Sequence, residues 1–291
     1  MSVGNGWKTN PLELTQKGGN LFALGSADMK GGIAAMLAAM SGFDPSKLNK
    51  GLELIFTYDE EKNFDGIRDI IEKHKIAADC IVIGEPTSLE PVVATKGVLA
   101  FRIDFVGKEA HGSHPEIGIN AIEMACGFIS ELKKDFKKIV KDRDDIFDFP
   151  CATMNIGKII GGDAVNKVPS ACSLEFEFRI IHNKQKGQIG KVIAALIKKN
   201  KFKVEVEETC SLPVTKSLNK EFIATIERIT KKKSVGVSYA TEGAFLPGAS
   251  DFVILGPGSI KDAHSANEYV SKSSLNEAVR VYEKLIDKFC I

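Results

Sequence analysis

The chain holds 291 residues, enough to bury a substantial core and to form two domains. Its 39 basic and 38 acidic residues leave a formal net charge of +1, which removes any electrostatic case for nucleic acid or an anionic membrane and points to a small-molecule substrate. Hydrophobic content of 44% and charged content of 26% are ordinary for a soluble globular protein. No apolar run reaches the roughly 18 residues of a membrane span, and the start, Met1-Ser2-Val3-Gly4-Asn5-Gly6-Trp7, lacks a basic-then-apolar leader. The cytoplasm is therefore the expected location. Cys80, Cys126, Cys151, Cys172, Cys210 and Cys290 form no C-x-x-C pair and read as small hydrophobes in a reducing compartment, not as a thiolate metal site.

In chain order, residues 1–20 are polar and glycine-rich and read as a loop. Leu21 to Leu24 reads as a first strand that runs through Gly25-Ser26-Ala27 to Asp28, and Ile33 to Met40 as a helix of small apolar residues. Leu52 to Phe56, broken only by Glu53, has the near-continuous apolar run of a buried parallel strand and ends in Thr57-Tyr58-Asp59-Glu60-Glu61. These pieces form an expected right-handed strand-helix-strand unit. An amphipathic helix follows at Gly66 to His74, then a strand, Cys80 to Ile83, that runs into Gly84-Glu85-Pro86-Thr87. Much later Phe252 to Leu255 leads into Gly256-Pro257-Gly258-Ser259, with His264 a few residues on. Ligands of open α/β sheets gather outside the carboxyl ends of strands. Three carboxylate sites and an imidazole at one edge of one sheet are what a hydrolytic zinc centre needs.

After Pro91 the periodicity changes. Phe101-Arg102-Ile103-Asp104-Phe105 alternates apolar and polar, the signature of an antiparallel strand with one solvated face. A helix from about Asn120 to Lys137, strands at about Ala152 to Ile160 and Ala171 to Ile181, a helix at Gly187 to Lys199 and a strand at Phe202 to Glu207 complete a β-α-β-β-α-β order, the ferredoxin-like plan. The expected fold is thus α/β, a mostly parallel sheet flanked by helices, with an inserted ferredoxin-like α+β domain. Residues 1–92 and 208–291 form the first domain and 93–207 the insertion. The first domain resumes with a helix at 219–231, a strand near Ser234 to Tyr239 and a closing helix from Lys272 to Phe289.

An ordered series of short motifs spans nearly the whole chain: Ser26-Ala27-Asp28-Met29-Lys30-Gly31-Gly32, Asp59-Glu60-Glu61, Gly84-Glu85-Pro86-Thr87 and Gly107-Lys108-Glu109-Ala110-His111. It continues through Gly118-Ile119-Asn120-Ala121-Ile122, Gly161-Gly162-Asp163-Ala164-Val165-Asn166, Glu177-Phe178-Arg179, Thr241-Glu242, Gly256-Pro257-Gly258-Ser259-Ile260, Ala263-His264 and Asn267-Glu268-Tyr269. The set resembles the acetylornithine deacetylase and succinyl-diaminopimelate desuccinylase family of dizinc amidohydrolases and peptidases, with the closing motifs most similar to the acetylornithine deacetylase branch. The resemblance implies that Asp28 bridges two zinc ions, that Glu61 and His264 complete one metal and that Glu85 serves the other. Cobalt is an alternative metal. Glu60, beside a ligand but not one itself, is implied as the general base, which needs hydrogen-bond reach of the attacking water. Two metals roughly 3.5 to 4 Å apart can acidify a bridging water and polarise an amide carbonyl.

The resemblance also assigns the insertion. It makes residues 93–207 a lid and homodimerisation domain, with His111 reaching a partner subunit's site to steady the oxyanion. Asn166 is implied to bind the substrate carbonyl and Arg179 to fork onto the substrate α-carboxylate, a bidentate task that suits a guanidinium.

The sequence departs from the family in one place that matters. The family's His-x-Asp motif, expected just before the tryptophan loop that Gly6-Trp7-Lys8-Thr9-Asn10-Pro11 resembles, has no counterpart, and with it go the first strand-helix units of the sheet. The histidine would be the remaining ligand of the Glu85 metal and the aspartate would orient it. Two readings stay open. In one, the chain is or derives from a zinc amidohydrolase of N-acyl amino acids, most simply N-acetylornithine in arginine biosynthesis, or else succinyl-diaminopimelate or a dipeptide. In the other, it is a remnant that only dimerises or binds ligand.

Overall fold

A computed structural model describes residues 3, 5–74, 76–246 and 251–291. In chain order its elements are β1 Thr15–Lys17, β2 Asn20–Phe22, α1 Gly31–Ser41, α2 Asp65–Lys73, β3 Cys80–Ile83, β4 Val92–Thr95 and β5 Gly97–Val106. There follow β6 Ala110–His111, α3 Ala121–Ile139, β7 Thr153–Gly161, β8 Lys167–Val168, β9 Ala171–Ile180, α4 Lys184–Asn200 and β10 Val204–Leu212. The chain closes with β11 Thr215–Lys216, α5 Lys220–Thr230, β12 Val235–Val237, β13 Asp251–Ile254, β14 Tyr269–Ser271 and α6 Lys272–Cys290. The helix starts obey local chemistry: the side chains of Asn120, Asn219 and Ser271 accept from the first-turn amides of α3, α5 and α6. Among the described residues no helix is long and apolar enough to cross a membrane.

The residues fall into two compact units, one of Met1–Ala94, Lys216–Gly236 and Thr241–Ile291, the other of Thr95–Thr215 and Val237–Ala240. The first is built on two sheets. One is mixed, in the order β11-β4-β13-β3 with β12 beside β4. Within it β13 and β3 run parallel, pairing Asp251 with Cys80 through to Ile254 with Ile83, whereas β13 and β4 run antiparallel. The other is a small antiparallel sheet in the order β1-β2-β14. Helix α1 can press close because it begins with two glycines: a Cβ on Gly32 would lie 2.2 Å from the Gly84 carbonyl oxygen, just past β3.

The second unit is one antiparallel sheet in the order β10-β5-β9-β7, with α3 and α4 between its strands in sequence. The period-2 reading holds residue by residue. Leu99, Phe101, Ile103 and Phe105 of β5 and Leu174, Phe176, Phe178 and Ile180 of β9 are buried, while Arg102 is exposed. They pack with Phe128, Leu132 and Phe136 of α3 and Ile189, Ile193 and Leu196 of α4 in one core. Aromatic edges meet faces there, as between Phe105 and Phe128 or Phe176 and Phe178.

Three expectations are corrected. The sheets are mixed and antiparallel, not mostly parallel. The segment Leu21–Leu24 joins the small antiparallel sheet instead of the sheet that holds β3, so the ligand arms do not leave one edge of one sheet. Leu52–Phe56 is not a strand at all. An apolar run reports burial, but a strand needs a hydrogen-bonded neighbour. Here the segment instead lines a cavity of about 1250 Å³ together with Cys80–Ile83 and Tyr282, Leu285 and Ile286 of α6. The cysteines are free, and of the six only Cys172 is buried while Cys126 is exposed.

Candidate metal centre

Asp28 sits in the turn between β2 and α1. Gly25 opens this turn in the left-handed region, at φ 77°, and Lys30 N–H donates to the Gly25 carbonyl at 2.8 Å. The turn leans on a fully buried carboxylate, Glu268, which accepts from the amides of Gly25, Ala27 and Asp28 at 2.7, 2.8 and 2.9 Å. Glu60 and Glu61 lie in the loop before α2. There Asp59 adopts φ 60°, the Phe64 amide donates to the Asp59 carbonyl at 2.9 Å, and Gly66 admits the loop because any Cβ would strike Tyr58 N at 2.3 Å. Glu85 follows β3 directly.

These arms converge. His264 Nε2 lies 3.0 Å from Glu61 Oε1 and 3.1 Å from Asp28 Oδ2. One donor atom from each of Asp28, Glu61 and His264 falls within 4.8 Å of the others. Asp28 and Glu85 are close enough for their carboxyl groups to share one proton.

The electrostatics say what the cluster lacks. Burial, with Glu61, Glu242 and Asp28 nearby, pushes the Glu60 carboxyl up to about 7. Burial and the charge of Asp28 hold Glu85 well above the usual carboxylate range. Burial and the charge of Glu61 raise Asp28. Glu242 is also raised by burial, and its Oε1 is buried without a partner although Thr57 hydrogen-bonds the side chain. Among the described residues, His264 is the basic side chain that pairs with these acids. Five crowded carboxylates round one imidazole are an uncompensated anionic pocket, and hard oxygen and borderline nitrogen donors at this spacing fit a divalent cation. Zinc fits the donor set of Asp28, Glu61 and His264. Glu85, next to Asp28, offers oxygens for a further cation.

The remaining sequence-derived residues belong to the second unit. His111 of β6 pairs with Lys167 of β8, and the Gly112 amide donates to the Asn166 carbonyl at 2.7 Å, so His111 and Asn166 share one loop cluster. The Ser113 amide donates to His111 Nδ1 at 3.2 Å, and the Ser113 hydroxyl lies 2.7 Å from the same nitrogen. Arg179 forks onto Glu177, with Nε and Nη2 between 3.0 and 3.2 Å from its carboxylate oxygens. Two residues escaped assignment from sequence, Glu242 and Glu268. Both belong to the short motifs, Thr241-Glu242 and Asn267-Glu268-Tyr269, that carry the family resemblance, but sequence reasoning assigned neither of them a role.

An α/β unit that gathers five acids, from buried Glu85 to exposed Glu61, round one imidazole is constructed as a metal-dependent hydrolase. The chain belongs to peptidase family M20/M25/M40, whose model matches residues 2–288 and whose members hydrolyse amide bonds. It is 33% identical to an acetylornithine deacetylase of Pasteurella multocida and 35% identical to one of Buchnera aphidicola, in each case over 98% of this chain and 76% of the relative. In fold it is similar to a tripeptidase from Staphylococcus aureus, with a TM-score of 0.77 at 24% identity, over 93% of this chain and 74% of that one.

Proposed function

We propose that the chain is a zinc-dependent amidohydrolase that removes the acyl group from an N-acyl amino acid, with N-acetylornithine, an intermediate of arginine biosynthesis, as its substrate. The observation that carries this reading is the convergence of Asp28, Glu61 and His264, with Glu60 directly beside Glu61. The names of the relatives at 33 and 35% identity support the substrate. Asp28, Glu61 and His264 would hold zinc, or cobalt in its place, and Glu85 would hold a second ion. A bound zinc ion supplies an acidified water and a polarised carbonyl. Glu60, directly beside Glu61, takes a proton from the attacking water and returns it to the leaving amine. His111 presents a ring N–H as a donor for an oxyanion, Asn166 the amide for the substrate carbonyl, and Arg179 the fork for the α-carboxylate, exchanging Glu177 for the substrate.

Residues 93–207 would form the lid and the homodimer contact. The edge strand β7 supports this, since it leaves Ile159 and Ile160 exposed beside unpaired backbone. A second reading, cation binding without turnover, draws support from the unpaired segment Leu52–Phe56 at the cavity that also holds Glu60 and Glu85. Assay of the zinc-loaded chain on N-acetylornithine, succinyl-diaminopimelate and dipeptides decides between them. Release of acetate from N-acetylornithine in preference to the others is the expected result, and no turnover of any of them leaves the second reading. Glu60→Gln is expected to cut turnover by about 10²- to 10⁴-fold with zinc content unchanged. Loss of zinc in that variant would instead make Glu60 a ligand.

A further inference from the structure

We propose that Glu268 is the positioning residue that sets Asp28 against His264, holding the turn that carries one ligand from the segment that carries the other. The inference rests on the cation reading of Asp28, Glu61 and His264 and adds to it the part that fixes their geometry. Asp28 and His264 are brought together from opposite ends of the chain, and Glu268 follows His264 by four residues. Its side chain is fully buried, and it makes no ion pair among the described residues. A buried carboxylate is costly unless hydrogen bonds replace its water. Three backbone donors do so: Gly25 N–H to Oε2 at 2.7 Å, and Ala27 and Asp28 N–H to Oε1 at 2.8 and 2.9 Å.

The strands on either side make the reach possible. β2 leads into the turn and β14 follows Glu268, and the two pair in fixed register, Tyr269 with Phe22 and Ser271 with Asn20. Register alone aligns the strands but leaves the conformation of the turn open. The carboxylate closes that freedom by gripping the amide of Asp28 itself, which orients its Cα–Cβ bond. Asp28 Oδ2 then meets His264 Nε2 at 3.1 Å. Both oxygens are needed. A glutamine of the same size would offer one acceptor and turn an N–H₂ group toward an N–H donor.

The test is cobalt binding by the purified chain, read by titration calorimetry and by the visible absorption of Co²⁺, which reports ligand geometry. Glu268→Gln is expected to weaken Co²⁺ binding about 10-fold or more and to change the absorption band. Glu268→Asp, which keeps two acceptor oxygens one methylene shorter, is expected to fall between native and glutamine. Tyr282→Phe is the control for simple destabilisation. It removes another buried hydrogen bond of the same unit, Tyr282 O–H to the Leu255 carbonyl at 2.6 Å, and should leave affinity and band unchanged. A Glu268→Gln chain that matches native in affinity and band overturns the inference alone, as does an equal change in Tyr282→Phe. No Co²⁺ binding by the native chain overturns the cation reading and this inference with it.

Discussion

At the scale of single residues the acids of the site carry a cost that the rest of the fold tolerates. Glu60 moves from an ordinary 4.5 up to about 7, and Asp28 and Glu85 move in the same direction. In a metal-free chain the folded state therefore holds more protons than the unfolded state between about pH 4.5 and 7, so its stability falls as pH rises through that window. Glu227 has the opposite shift, drawn down to about 2 by the Ser234 amide and hydroxyl and by Lys233, and acts only below that range. The denaturation midpoint of the metal-free chain is accordingly expected to drop from pH 5 to pH 7.5, and saturating zinc to remove most of the drop, because a cation favours the charged carboxylates. A midpoint that rises over this range without metal would show that the cluster does not hold its protons. Asp28, Glu60, Glu61 and Glu85 stood out in the sequence as acids that follow apolar segments and His264 as an imidazole beyond another, while the part each was expected to play came from the family resemblance. Glu242 and Glu268 were visible as motif residues but not as parts of the site, since burial of a glutamate such as Glu268 leaves no mark in the sequence.

Elements were legible where one residue pattern had a single structural outcome. Alternation along residues 101–105 could satisfy only a half-buried strand, and the helices expected from Asn120 and Asn219 do start there in the structure. Leu52–Phe56 failed because its pattern states that side chains avoid water and says nothing of which backbone would pair with it. β2 failed for a related reason, since three residues cannot announce whether their partner is parallel or antiparallel. The close packing of α1 was visible as small residues, and it carries a quantitative consequence. A methyl group on Gly32 meets the Gly84 carbonyl at 2.2 Å, a backbone atom that cannot swing aside. Gly32→Ala is expected to cost about 1–3 kcal/mol and to weaken zinc binding by displacing Gly84 and Glu85. Gly42→Ala at the other end of the helix meets its nearest atom at an ordinary 3.5 Å and should be close to neutral in both denaturation and zinc titration.

For the whole molecule the relevant fact is that the proposed metal donors and the largest aromatic cluster belong to different compact units. Asp28, Glu61, Glu85 and His264 lie in the first, whereas Phe101, Phe105, Phe128, Phe136, Phe176 and Phe178 lie in the second. A ligand stabilises only the states that can bind it, and zinc at 100 times its dissociation constant contributes about 2.7 kcal/mol to them. If the two units open separately, hydrogen exchange of the amides in β13 and α6 should slow by about 100-fold on adding zinc. Exchange in β5 and β9, whose pairing from Gly97–Ile180 to Val106–Ala171 is internal to the second unit, should stay within about twofold. Mass spectrometry of exchanged peptides resolves the two sets in one experiment. Equal slowing in both would mean that the chain unfolds as one cooperative body. In that case a lesion in the aromatic core, such as Phe178→Ala, would lower the denaturation midpoint of the zinc-binding unit together with its own.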